Sequence, residues 1–344
     1  MSGNFVQRGM PAVFDKAIRA EAALRCGADL VLELPVTYSL SSAEGFASGG
    51  VRILSGFCHN LCFGTESAYP ASLEATARAL LSPEFTQALR TQLEQGISFP
   101  AARQRALETM GQDSSAFCQP NDILAVEYCK AILSQKSTML PMPIHREGSY
   151  HDTTANRDNP SATAVRALIH TSGDWQDFIP KEARVCFKNS PIHDLSYGER
   201  GILARLRCMD ESDFETLPYG SEGLWRKFMH AVHSHATVEE ILVATKSKRY
   251  TRTRLNRMLM CAFLGITQTI LETPAPYVRA LGFTSRGREI LKAARQTGEF
   301  PNVGEHIPCS YQGLENRCSD LYGLFSQTGP EAPNIESKRR VICL

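Results

Sequence analysis

Residues Ala28 to Leu34 (ADLVLEL) form a near-continuous apolar run closed by Pro35. A run of that length without alternation suits a strand buried on both faces, as parallel sheets bury theirs. A stretch of helical periodicity over residues 12–27 precedes it and stops at Gly27, and a helix is expected over Ser41 to Leu54. A short strand over Asn60 to Phe63, two or three helices over residues 70–111 and a helix over Asn121 to Leu133 behind Pro120 come next. A strand over Thr138 to Arg146 and a helix over Ser161 to Ser172 complete the pattern. This alternation restricts residues 1–172 to an α/β domain with a doubly wound parallel sheet.

Beyond residue 172 the pattern changes. Residues 194–265 read as mostly helical, with a strand over Tyr277 to Phe283 and a helix over Ser285 to Ala294. The expected organisation is therefore an α/β domain over 1–172, a mostly helical domain over 173–326, and a loose, polar tail over 327–344. With 344 residues, 43% of them hydrophobic, more than one core is expected. The net charge is only +1, so any footprint for nucleic acid must be local. No secretory pattern opens the chain, and no apolar stretch approaches the roughly 20 residues that span a bilayer. Together with 11 scattered cysteines, this leads to the expectation of a cytoplasmic protein with reduced thiols, no membrane and no stable protein partner.

Two clusters have the residue types of metal sites. Cys58 and Cys62 flank His59, but no second ligand pair lies at zinc spacing, so both are expected as core thiols. His230, His233 and His235 lack a carboxylate to complete a set. No metal site is expected.

Four segments carry chemistry that nucleotide binding needs. Ser161, Thr163 and Arg166 open a helix after the loop Asp158-Asn159-Pro160, placing hydroxyls, free N–H groups and a guanidinium at its positive end. An ordinary capped helix has the same pattern. Gly64 follows a strand and lets backbone approach a base or ribose, or simply makes a tight turn. Asn121 is either an N-cap or a hydrogen-bonding partner for a nucleobase or ribose. Arg146, after His145, ends a strand on the edge where ligands of open sheets bind. His151, beside Asp152, has the make-up of a proton carrier and equally of a solvated loop histidine. In the second half, Lys246, Lys248, Arg249, Arg252, Arg254 and Arg257 fall within twelve residues with no acid among them. They form either a phosphate-neutralising stripe or a solvated basic helix whose Leu255, Met258, Leu259 and Phe263 pack inward.

The segments MSGNFVQRGMPAV, GADLVLELP, LCFGTE, QPNDILAVEY, SATAVR, KSKRYTRTRLNRML and APYVRALGFTSRG, in that order, resemble the tRNA(Met) cytidine acetate ligase family over residues 1 to about 288. The resemblance implies a nucleotidyltransferase-like, Rossmann-like parallel-sheet domain followed by a helical tRNA-binding region. It implies ATP as co-substrate, with Mg2+, and activation of acetate as acetyl-adenylate. Acetylation of N4 of the wobble cytidine of elongator tRNA(Met) would follow. On these positions it implies ATP contacts at Gly64, Asn121, Arg146, Ser161, Thr163 and Arg166. The tRNA contacts would be Lys246, Lys248, Arg249, Arg252, Arg254 and Arg257. It supplies no catalytic base. Family members carry a β-strand and a His-x-Gly-His loop ahead of the segment matching MSGNFVQRG, and this sequence has no His-x-Gly-His. The expectation is a sheet without its first strand, from a start assigned late in a longer reading frame. An RNA-binding remnant without catalysis and an adenylyltransferase of a small metabolite are the alternatives.

Overall fold

The computed structural model describes residues 1–66, 70–117, 119–146, 160–171, 173–296 and 310–344. The chain begins with β1 (Phe5–Val6), β2 (Met10–Pro11), α1 (Lys16–Arg25), β3 (Leu30–Leu32), α2 (Val36–Ser39), α3 (Ala43–Leu54) and β4 (Asn60–Thr65). Then come α4 (Pro70–Leu80), α5 (Pro83–Glu94), α6 (Phe99–Thr109), α7 (Pro120–Ser134), β5 (Leu140–His145) and α8 (Ala162–His170). The helices α9 (Lys181–Phe187), α10 (Glu199–Arg207), α11 (Glu211–Glu215), α12 (Leu224–Ser234), α13 (Val238–Thr245), α14 (Arg252–Leu264) and α15 (Gln268–Glu272) follow. The chain closes with β6 (Ala280–Phe283), α16 (Ser285–Gln296), α17 (Ser310–Tyr322), α18 (Ile335–Lys338) and β7 (Ile342–Cys343). No helix among the described residues is long and apolar enough to cross a membrane.

These elements gather into two units. Residues 43–180 form an inserted unit, and residues 1–42 with 181–344 form a framing unit. The division expected at residue 172 differs over the first 42 residues, which pack with the second half of the chain. Periodicity reports elements and is silent on which distant segment each one joins.

In the inserted unit, β4 and β5 pair in parallel, from Asn60 opposite Leu140 to Thr65 opposite His145. Alternation decides what each strand residue meets. Leu61 and Phe63 point into a core with Val51, Leu73, Val126 and Met139, where Phe63 stacks on Tyr128 at 5.4 Å. The opposite face is open: Leu140, Met142 and Ile144 are 66%, 51% and 55% exposed. Cys62 is also exposed, which corrects the expectation that it is a core thiol; Cys58 is half-buried, and burial raises its thiol pKa. Helix α7 is anchored by a buried ion pair, Arg103 to Glu127 at 2.6 Å, whose guanidinium also lies 4.3 Å from the Phe117 ring.

In the framing unit, β3 pairs antiparallel with β6, Leu30 opposite Phe283, and β6 pairs parallel with β7. The apolar run at 28–34 is thus a strand, as expected, but of a small mixed sheet. Continuous hydrophobicity signals burial and carries no information on a partner's direction. Helix α1 begins on an Asp15 cap that accepts from the Ala17 N–H at 2.7 Å, and the chain turns out of it at Gly27, φ 101°. Gly9, φ 71°, lets the β1–β2 turn press onto α14: a Cβ there would lie 2.3 Å from the Arg257 nitrogen. Leu255, Met258, Leu259 and Phe263 of α14 are at most 3% exposed, so its expected inward face is confirmed.

A buried charge network ties the ends of this unit together. Lys16, 1% exposed, meets Glu33 at 2.8 Å and Glu336 at 2.9 Å. Glu336 also pairs with Arg279 and accepts from the Ser319 hydroxyl at 2.7 Å, while Arg339 reaches Asp15 at 2.8 Å. Residues 327–344 are therefore no loose tail. Their charges, which read as solvation in the sequence, are the partners of buried groups, and Ile342–Cys343 extend a sheet.

Candidate functional site

The carboxyl ends of β4 and β5 lie side by side because the pair is parallel, and two expected residues meet there. The Arg146 N–H donates to the Thr65 carbonyl at 2.9 Å, continuing the ladder by one step. Its side-chain stem crosses Gly64: a Cβ on that glycine would sit 2.8 Å from Arg146 Cδ and 3.2 Å from Cγ. The bare glycine is thus what lets the arginine cross the strand end. Among the described residues no hydrogen bond or ion pair occupies the Arg146 guanidinium, which leaves five donors for an anion.

The amino end of α7 approaches the same edge. Asn121 is not its N-cap; Gln119 holds that position and makes no side-chain cap. The capping carboxylate comes from the strand instead. Glu66 Oε2 accepts from the Asp122 N–H at 3.1 Å, and Glu66 Oε1 accepts from Asn121 Nδ2 at 2.6 Å. In return the Glu66 N–H donates to Asp122 Oδ1 at 2.8 Å, and the Thr65 hydroxyl donates to the same oxygen. Asp122 is fully buried. A carboxylate at a helix amino terminus meets both the orphan N–H groups and the positive end of the dipole. Neither Glu66 nor Asp122 was singled out from sequence. The available signal was an acid just past a strand end together with an acid in the first turn of a later helix.

The other expected phosphate group lies on α8. Ser161 is its N-cap, 5% exposed, and its oxygen accepts from the Ala164 N–H at 3.0 Å. Thr163 and Arg166 follow within the first turns, both half-buried. Ser161 therefore performs the capping role, and its buried hydroxyl is committed to the helix. His151 and Asp152, with the loop at Asp158 and Asn159, lie outside the described residues.

The six basic residues of the framing unit are less available than their sequence suggests. Arg249 precedes α14 and pairs with Glu222 at 2.9 Å. Arg252 donates to Glu239 at 2.8 Å. Arg254 donates to the Tyr219 carbonyl at 2.8 Å, and Arg257 to the Gln7 carbonyl at 3.3 Å while lying 5.0 Å from the Tyr219 ring. The acids missing from the stretch come from elsewhere in the chain. Lys246 and Lys248 are exposed, and their ammonium groups have no partner among the described residues. His233 packs edge-on to Phe214 at 6.3 Å, and no group of three or more His, Cys, Asp or Glu among the described residues is placed to hold a metal.

Comparison with known proteins bears on this arrangement. The family described as HIGH Nucleotidyl Transferase matches residues 1–331. The tRNA(Met) cytidine acetate ligase of Clostridium novyi is 36% identical over 328 residues, covering 88% of this chain and 80% of the relative. That of Clostridium tetani is 35% identical over 353 residues, covering 95% and 87%. Among solved structures, Thermotoga maritima TmcAL in its apo form superposes with a TM-score of 0.91 at 29% identity, covering all of this chain and 91% of that one. The same protein bound with alpha-thio ATP gives 0.88 at 30% identity.

Proposed function

The chain belongs to the tRNA(Met) cytidine acetate ligase family of HIGH nucleotidyltransferases, and we propose that it uses ATP to join acetate to N4 of the wobble cytidine of elongator tRNA(Met). The observation that carries this reading is the edge where Gly64, Asn121 and Arg146 converge, in a fold whose Thermotoga relative was solved with an ATP analogue. Acetate attacks the α-phosphorus and pyrophosphate leaves with its P–O electron pair. The cytidine amine then attacks the acetyl carbon of the acetyl-adenylate, AMP leaves, and the nitrogen loses a proton. Both steps develop negative charge on phosphate oxygens, so Arg146, with Arg166 and Thr163 at the positive end of α8, supplies charge stabilisation and positioning. The carboxylates beside the site, Glu66 and Asp122, are held by protein donors. Mg2+ accordingly enters on the ATP phosphates rather than in a protein cage.

The direct test is incubation of the full chain with labelled acetate, ATP and elongator tRNA(Met). Label is expected in the tRNA, dependent on ATP, with AMP formed. Binding of tRNA with neither label nor AMP would overturn the ligase reading in favour of an RNA-binding role.

Two variants follow. Gly64→Ala pushes a methyl into the Arg146 stem, and overpacking of that kind costs on the order of 1–3 kcal/mol. ATP affinity, measured calorimetrically, is expected to fall about tenfold or more with a nearly unchanged melting temperature. The double variant Lys246→Ala/Lys248→Ala is expected to reduce the salt slope of tRNA binding by about one to two and to leave ATP affinity unchanged. An unaltered slope would move the tRNA footprint off these lysines.

A further inference from the structure

We infer that Glu66 locks the orientation of the Asn121 side-chain amide and thereby makes the nucleotide site select adenine over guanine. The inference rests on the reading above, in which Asn121 faces the nucleotide, and names what sets its base preference.

An asparagine amide has two donors on Nδ2 and an acceptor on Oδ1, and a half-turn about its last torsion exchanges them. An ionised carboxylate only accepts. With Glu66 Oε1 2.6 Å from Asn121 Nδ2, one orientation is a charge-assisted hydrogen bond. The other places amide oxygen against carboxylate oxygen, with no proton between them. Glu66 has no freedom to turn away. Its second oxygen is held by the Asp122 N–H at 3.1 Å, and its own N–H by Asp122 Oδ1 at 2.8 Å. Asp122 is in turn fully buried and bound by Thr65. The bracket thus runs through backbone on both β4 and α7.

Asn121 itself is half-buried, so its amide is reachable from solvent. What remains for a ligand is fixed: Oδ1 as acceptor and the second N–H as donor. Adenine offers the complementary set, an amino donor on N6 beside a ring-nitrogen acceptor, the pairing asparagine makes with adenine elsewhere. Guanine and hypoxanthine place a carbonyl at that position and match only the flipped amide, which Glu66 forbids.

The test uses the full chain and calorimetric affinities for ATP, GTP and inosine triphosphate. The unaltered protein is expected to bind ATP at least tenfold more tightly than either of the others, the order of one bidentate base contact. Glu66→Gln keeps the shape but gives Asn121 a neighbour that donates as readily as it accepts, freeing the flip. The ATP-to-GTP ratio is expected to collapse towards one, with ATP affinity falling less than the ratio. In an Asn121→Ala background the same Glu66→Gln change should leave the ratio unmoved, because its effect passes through Asn121. Equal binding of ATP and inosine triphosphate by the unaltered protein would overturn the inference without any variant. So would a ratio that survives Glu66→Gln, or one that still shifts without Asn121. Failure of the unaltered chain to bind any of the three nucleotides would overturn the nucleotide-site reading itself, and this inference with it.

Discussion

Lys16→Met is expected to lower the unfolding free energy by about 3–5 kcal/mol, the cost of removing one partner from a buried ion pair. The methionine is close in volume and apolar, so the loss comes from charge rather than from a cavity. Lys16 is 1% exposed and touches two carboxylates, Glu33 and Glu336, that are 4% and 8% exposed. With the ammonium gone, Arg279, which pairs with both, is left as the main counterion. Urea denaturation read by circular dichroism measures the change. Loss of less than about 1 kcal/mol would mean that the network relaxes or admits water. The exposed pair Arg25–Glu21, on the same helix, is the control. Arg25→Ala is expected to change stability by no more than about 0.5 kcal/mol, as exposed ion pairs do.

The second large effect concerns pH. Glu315 is buried, and burial, followed by the charge of Glu33, raises its carboxyl from 4.5 to about 7. Glu315 Oε1 nonetheless accepts from the Val36 N–H at 2.8 Å. Below pH 4.5 both the folded and unfolded states hold the proton. Between 4.5 and about 7 only the folded state does, so stability falls as pH rises through that window. The slope from one such group is at most about 1.4 kcal/mol per pH unit. Glu33 and Asp15 act in the opposite sense at lower pH. Their carboxyls are held below the ordinary range by Lys16 and Arg339, so their contribution is present above their unfolded values, 4.5 and 3.8, and fades as acid protonates them. Glu315→Gln retains an acceptor for Val36 and has nothing to titrate. It is expected to flatten the stability profile between pH 5 and 7 and to raise stability most at pH 8. A profile as steep as that of the unaltered protein would show that another group titrates in this window.

Local features of this chain were legible and distant ones were not. The helix expected over Asn121 to Leu133 is Pro120–Ser134, and the strand expected over Thr138 to Arg146 is Leu140–His145. Each is written in adjacent residues, as proline, periodicity and apolar runs. The pairing of Leu30 with Phe283 is not, because the partner lies about 250 residues away and either direction would bury the same side chains. The tail was misread for a related reason. Glu336 and Arg339 read as solvated charges until Lys16, Asp15 and Arg279 are placed beside them. The same holds for Arg249 and Arg252, whose counterions Glu222 and Glu239 stand outside the basic stretch. At the candidate site, Gly64 was noticed for its freedom, whereas the structure shows its use, making room for the Arg146 stem. Asn121 was read as a cap, but the capping group is Glu66, 55 residues earlier.

The insertion of residues 43–180 between the two halves of the framing unit has a consequence for synthesis on the ribosome. The inserted unit is one uninterrupted stretch, so all of its contacts are available once residue 180 has emerged. The framing unit has no such option. Lys16 waits for Glu336, Asp15 for Arg339, and the sheet around Leu30 for Ile342, the last residues to be made. Closing contacts of such separation is slow, and domains otherwise tend to fold as they appear. The first 42 residues are therefore held open, with a buried lysine and an apolar strand exposed, throughout translation. That is the interval in which a chaperone has something to bind.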